Sequence, residues 1–95
     1  MDPFPGNDLI VMGVEDLLHQ RHTIPALLVA IGAPKLRSLG LEVPENLPST
    51  PEHRLYDLLS DSDSDSAHAR YNALIRKLVS FERALATLRS TDRIT

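Results

Sequence analysis

The alternating run Ser60-Asp61-Ser62-Asp63-Ser64-Asp65-Ser66 is the stretch of this chain whose residue types come closest to a metal site. Asp61, Asp63 and Asp65 repeat at the spacing of the first ligands of an EF-hand loop, where hard carboxylate oxygens surround calcium. The match stops there. Ser66 stands where such a loop needs glycine for its sharp turn, and Asn72 where a bidentate glutamate closes the coordination sphere. The run is therefore expected to be a solvated linker over 60–66. Its acids sit before a helix whose N-terminal end is positive, with Asp65 or Ser66 as the cap. Serines embedded in acids also suit an acid-directed kinase.

Glu15, His19 and His22 form a second cluster, on one helical stripe that would offer a carboxylate and two imidazoles to a metal. No further pair at ligand spacing supports it, since His53 and His68 stand alone, and the expectation is surface residues and no metal. The four glycines are isolated, so no phosphate-cradling loop exists, and there is neither a serine elbow nor a histidine–glutamate zinc motif. The chain has no cysteine, which excludes disulfides, thiol catalysis and cysteine-bound metals. The reading is a protein that is not an enzyme and uses no cofactor.

Two further sets sit on the last third of the chain. Arg70 and Lys77, and beside them Arg76 and Arg83, repeat every seven residues and could meet nucleic-acid phosphates. A net charge of −3 and a scarcity of aromatic residues weigh against a dedicated nucleic-acid binder, which leaves this as the alternative function. The other set is apolar. Ala67, Tyr71, Leu74, Leu78, Phe81, Leu85 and Leu88 are spaced by four and three in strict alternation, the heptad signature of a coiled-coil seam. Tyr71, Leu74, Leu78, Phe81 and Leu85 are the expected partner-binding residues, with Tyr71 and Phe81 as aromatic anchors.

The elements that must position these residues follow from the same patterns. One amphipathic helix is expected over 67–88, followed by a polar tail over 90–95. Upstream, a loose tail over 1–6, which Phe4 pins, leads to a helix capped by Asn7 or Asp8 and running to about His22. Leu9-Ile10-Val11-Met12 would also suit a strand, but the helical spacing of the residues after it favours helix. Thr23-Ile24-Pro25 marks a break, and Thr23 caps a new helix over 26–31. That segment is apolar on nearly every side, which suits the centre of a bundle but not the recognition helix of a helix-turn-helix. Gly32 is expected to end it, and Pro34 to open a further short turn that Gly40 stops. Leu41 to Pro48 is an extended connector. Thr50-Pro51 starts a helix to about Ser60, with a capping hydroxyl and proline in the first turn.

Ninety-five residues make one domain with a thin core, built from aliphatic side chains because there are two Phe, two Tyr and no Trp. Residues 1–66 hold four basic and eleven acidic side chains, residues 67–95 six basic and two acidic. Such halves can neutralise each other within one molecule or between copies. No apolar run reaches the ~20 residues that span a bilayer, and the N-terminus lacks a secretory pattern. The fold class is thus all-α, a small bundle in which the long C-terminal helix packs on two or three shorter ones. The expected function is a cytoplasmic protein–protein interaction module (regulator, adaptor or chaperone-like subunit), a homodimer or the partner of another protein.

Overall fold

The computed structural model describes residues 6–94, with side chains through Leu88. The expected Phe4 anchor lies outside these residues. Four helices and no strand are present among the described residues. The first, α1, spans Asn7–Leu18. Its start differs from the expected side-chain cap, because Gly6 holds the capping position at φ 76° and its carbonyl accepts from the Ile10 amide at 3.1 Å. Asn7 and Asp8 lie inside the first turn. A side chain at Gly6 would be doubly opposed, by the positive φ and by the Lys77 carbonyl 3.1 Å from where a Cβ would sit. The helix stops at Leu18, short of His22, where Gln20 turns the chain at φ 59°.

The corner into α2 (Ile24–Ser38) is built on Thr23. Its hydroxyl oxygen accepts from the Ala26 amide at 3.3 Å and donates to Asp16 Oδ2, while Arg21 binds Asp16 Oδ1 through two nitrogens at 2.9 and 3.1 Å. Pro25 sits in the first turn, where no amide donor is needed. The Thr23 hydroxyl, and after it Arg21, hold the Asp16 carboxyl below the usual carboxylate range against the opposing effect of burial. Thr23→Ala is expected to lose about 1 kcal/mol of stability at neutral pH, the usual worth of a threonine cap. Because the folded-state pKa of Asp16 is depressed, its contribution is present above the ordinary carboxylate pKa and lost as pH falls through the folded value. Urea unfolding at neutral pH and near pH ~3 should show the difference between wild type and variant shrinking with acidity.

α2 runs unbroken through Gly32 and Pro34, correcting both the expected stop and the separate short helix. Gly32 forms a notch on α2: a Cβ there would lie 2.8 Å from Leu78 Cδ1, so α4 fills the space that glycine leaves. Pro34 is exposed and costs one amide, the donor to the Ala30 carbonyl, which burial of Ala26 through Ala30, Ala33 and Leu36 outweighs. Gly40, at φ 95°, does end the helix. The Leu41 amide bonds the Leu36 carbonyl and the Gly40 amide that of Arg37, both at 3.0 Å, which is a Schellman closure.

The connector after Gly40 buries Val43 and half-buries Leu41 and Leu47. Arg37 ties it down, donating to the carbonyls of Pro44 at 2.6 Å and Val43 at 3.4 Å. Pro51 then opens α3 (Pro51–Asp63) as expected, but Thr50 does not cap it. Its backbone is left-handed at φ 46°, and its hydroxyl turns back to the Ser49 carbonyl. α3 also continues through Asp63, so only Ser64 to Ser66 remain as a turn where a linker over 60–66 was expected.

α4 (Ala67–Ile94) has 28 residues and is about 42 Å long at 1.5 Å per residue. Its backbone stays helical through Ile94, over residues 90–94 of the expected polar tail; Thr95 lies outside the described residues. α2 lies at the centre and touches each of the other three helices; α3 also packs on α4, and α1 rests chiefly on α2. The long helix sets a molecule of 48 × 27 × 23 Å. No helix among the described residues is long and apolar enough to cross a membrane.

Candidate interaction surface

The heptad seam of α4 meets its own chain. Leu78 and Phe81 are each 4% exposed, and Tyr71, Leu74 and Leu85 pack against the same core. The expected partner-binding residues are thus occupied largely by α2 and α3. Tyr71 also meets Tyr56, ring centroids 5.8 Å apart and tilted by 55°. Burial, with a lesser effect from Glu52, pushes its phenol pKa up. Glu82, beside the Gly32 notch, is likewise raised by burial, opposed by Lys35. Only at Leu88, 46% exposed, does the stripe come clear of the body.

The polar candidates stay apart. Arg70, Arg76, Lys77 and Arg83 are exposed, and none is within 4 Å of a carboxylate among the described residues. Asp61 and Asp63 ride on α3 while Asp65 stands in the turn, its amide bonded to Asp63 Oδ1 at 3.2 Å. His19 Nδ1 lies 2.9 Å from the Glu15 carbonyl, and His22 has left the helix. No three metal-ligating side chains converge among the described residues.

What the seam assignment missed lies on α1. That helix buries Ile10, Gly13 and Leu17 against α2, yet it carries a second apolar line one step round, Val11, Val14 and Leu18. Val11 is 59% and Leu18 66% exposed. This line forms one wall of a furrow whose other wall is the connector at Leu41 and Glu42. One hollow of about 530 Å³ is closed by Phe81 of α4 beside Asn7 and Ile10. A second, of about 490 Å³, continues along Val43, Pro44 and Glu45. Val14, Leu18, Leu41 and Glu42 line both, so the two are one continuous furrow. Its floor is aliphatic and its charged rim is mainly acidic: Glu15, Glu42 and Glu45, against Arg37, whose guanidinium is held by backbone carbonyls.

No family model, curated protein or solved structure matches the chain. The furrow must be read from its own chemistry. It offers no nucleophile, no converging acid–base pair and no cation site, only an apolar floor between carboxylates. The sequence did contain a signal for it. Leu9, Ile10, Val11, Met12, Val14, Leu17 and Leu18 are too many apolar residues for one face of a twelve-residue helix, so part of the set had to be left outside the core.

Proposed function

We propose that this chain is a small protein–protein interaction module, a regulator, adaptor or chaperone-like subunit of the cytoplasm, working by helix–helix contact. The observation that carries the reading is the exposed pair Val11 and Leu18, with half-buried Val14 between them, along an aliphatic furrow. Burying a large aliphatic side chain is worth about 1.5–3 kcal/mol, so Val11 and Leu18 left in water beside an apolar furrow are a standing driving force for association. An amphipathic helix with a leucine edge and basic flanks satisfies both floor and rim. The test is the pair Val11→Asp with Leu18→Asp, measured by anisotropy of a labelled leucine/lysine model helix. The pair should keep the helical circular dichroism, because exposed substitutions change stability by roughly 0.5 kcal/mol or less. Peptide binding should fall at least tenfold. Unchanged binding would remove the furrow from the function.

A second reading rests on the unpaired exposed cations of α4, which suit nucleic-acid phosphates. Arg76→Glu with Arg83→Glu separates the two. Only the nucleic-acid reading expects lost DNA or RNA retention with intact peptide binding.

A further inference from the structure

We infer that the occupant of the furrow is the last part of α4 from a second copy of this chain. The inference rests on the interaction reading above and names its partner. Three features of the molecule point to it. First, the apolar stripe of α4 runs past its own cover: Leu78 and Phe81 are buried and Leu85 lies at the core margin, whereas Leu88 is bare. Beyond Phe81 the helix continues thirteen residues to Ile94, about 20 Å of rod. Second, the charges match. The rim carries Glu15, Glu42 and Glu45, and Asp8 precedes Glu15 by two helical turns, whereas the segment from Arg83 to Thr95 contains three arginines and one aspartate.

The third feature is placement. α4 runs parallel to α2, because Gly32 meets Leu78 and Lys35 faces Glu82; α1 folds back on α2, with Gly13 against Pro25 and Val29. The end of α4 therefore leaves the body where α1 begins, at the end of the furrow that Phe81 closes. A two-fold axis near Leu85 lets each overhang enter the other's furrow, parallel to α1. Such a contact is isologous, so one association fills both furrows and leaves none open to recruit a third copy. The self-association expected from the heptad seam is kept, but its receiving surface moves from the seam to α1 and the connector.

Sedimentation velocity of the full chain across roughly 1–100 µM tests this, with two charge-reversed variants. One has a reversed furrow (Glu15→Lys with Glu42→Lys), the other a reversed overhang (Arg89→Glu with Arg93→Glu). Glu15 and Glu42 are exposed, so the furrow reversal leaves the buried core untouched. The wild type should dimerise and do so more weakly in high salt. Each variant alone should associate at least roughly tenfold more weakly. Mixed together, the two variants should form a heterodimer, because one furrow–overhang pair is then complementary with its signs exchanged and the other is the wild-type pair. A dimer indifferent to either reversal, or variants that fail to pair when mixed, overturns the inference. A monomeric wild type overturns it too. If that monomer still binds the leucine/lysine helix and loses it in Val11→Asp/Leu18→Asp, only the second-copy occupant is wrong. If it binds no helix, the interaction reading falls with it.

Discussion

Leu78→Asp is expected to leave no folded population at room temperature, whereas Leu88→Asp, on the same stripe of α4, should fold as the wild type does. The contrast follows from where the stripe is covered. Leu78 is 4% exposed and its methyl groups sit in the notch that Gly32 leaves on α2. Aspartate there forfeits about 2–5 kcal/mol of leucine packing. It also puts a carboxylate in the core beside that of Glu82, at a further cost of several kcal/mol. A chain of this size has roughly 5–15 kcal/mol of stability in total, and a thin core puts it near the lower end. At Leu88, 46% exposed, the same change removes little that folding had buried, and roughly 0.5 kcal/mol is the expected loss. Far-ultraviolet circular dichroism and urea unfolding in dilute solution separate the two. A cooperative, wild-type-like transition for Leu78→Asp would mean that the stripe of α4 is not part of the core.

That stripe was legible in the sequence because a heptad alternation needs only spacing, and spacing survives whatever packs against it. Thr23 and Pro25 were legible for a similar reason: a capping hydroxyl and a first-turn proline act within one turn, and the Ala26 amide meets Thr23 as local geometry requires. So was Gly40, whose positive φ closes α2. The helix class, the central apolar α2 and the long last helix all follow from such signals. Local rules failed where a tertiary contact outweighed them. Gly32 and Pro34 are helix breakers by propensity, yet α2 runs through both because α4 presses Leu78 into the glycine notch and Pro34 faces water. Thr50 has the residue type of a cap, but its left-handed backbone turns the hydroxyl away from α3.

The candidate surface was half legible. Spacing reveals that Tyr71, Leu74, Leu78, Phe81 and Leu85 need cover, but not that α2 and α3 supply it. By the same token, Val11 and Leu18 look like core residues of α1 until the packing angle of α1 on α2 decides which of its two apolar lines goes inward. The stripe of α4 was expected to need cover and has most of it from its own chain; on α1, spacing alone left open which apolar line would go inward. Both follow from four helices that must share a single aliphatic core.

Gly13→Ala should be the most damaging single methyl group that can be added to this protein. A Cβ at Gly13 would lie 2.3 Å from the Pro25 carbonyl oxygen and 2.4 Å from Val29 Cγ2. The first of these is backbone at the head of α2, so relief requires one helix to move as a body. Alanine would improve helix propensity by about 1 kcal/mol. Against that stands the separation of α1 from α2 at the point where Ile10 and Leu17, one turn to either side, are 2% and 3% exposed. Partial exposure of both, added to overpacking of about 1–3 kcal/mol, gives an expected net loss of about 3 kcal/mol. Gly32→Ala is the matched control. There the nearest atoms are the Leu78 methyl ends and the Glu82 carboxylate tip, all on side chains that can turn aside, and the net effect should stay below about 1 kcal/mol. Urea midpoints give the ranking, and amide hydrogen exchange gives the cause. In Gly13→Ala protection should fall first in α1, while α2, α3 and α4 retain more of theirs. Since α1 is one wall of the furrow, binding of the leucine/lysine helix should weaken in the same variant under conditions where it is still folded. Equal losses for the two glycine variants would mean that α1 sits on α2 more loosely than the Gly13 contact requires, and that the furrow wall is correspondingly unfixed.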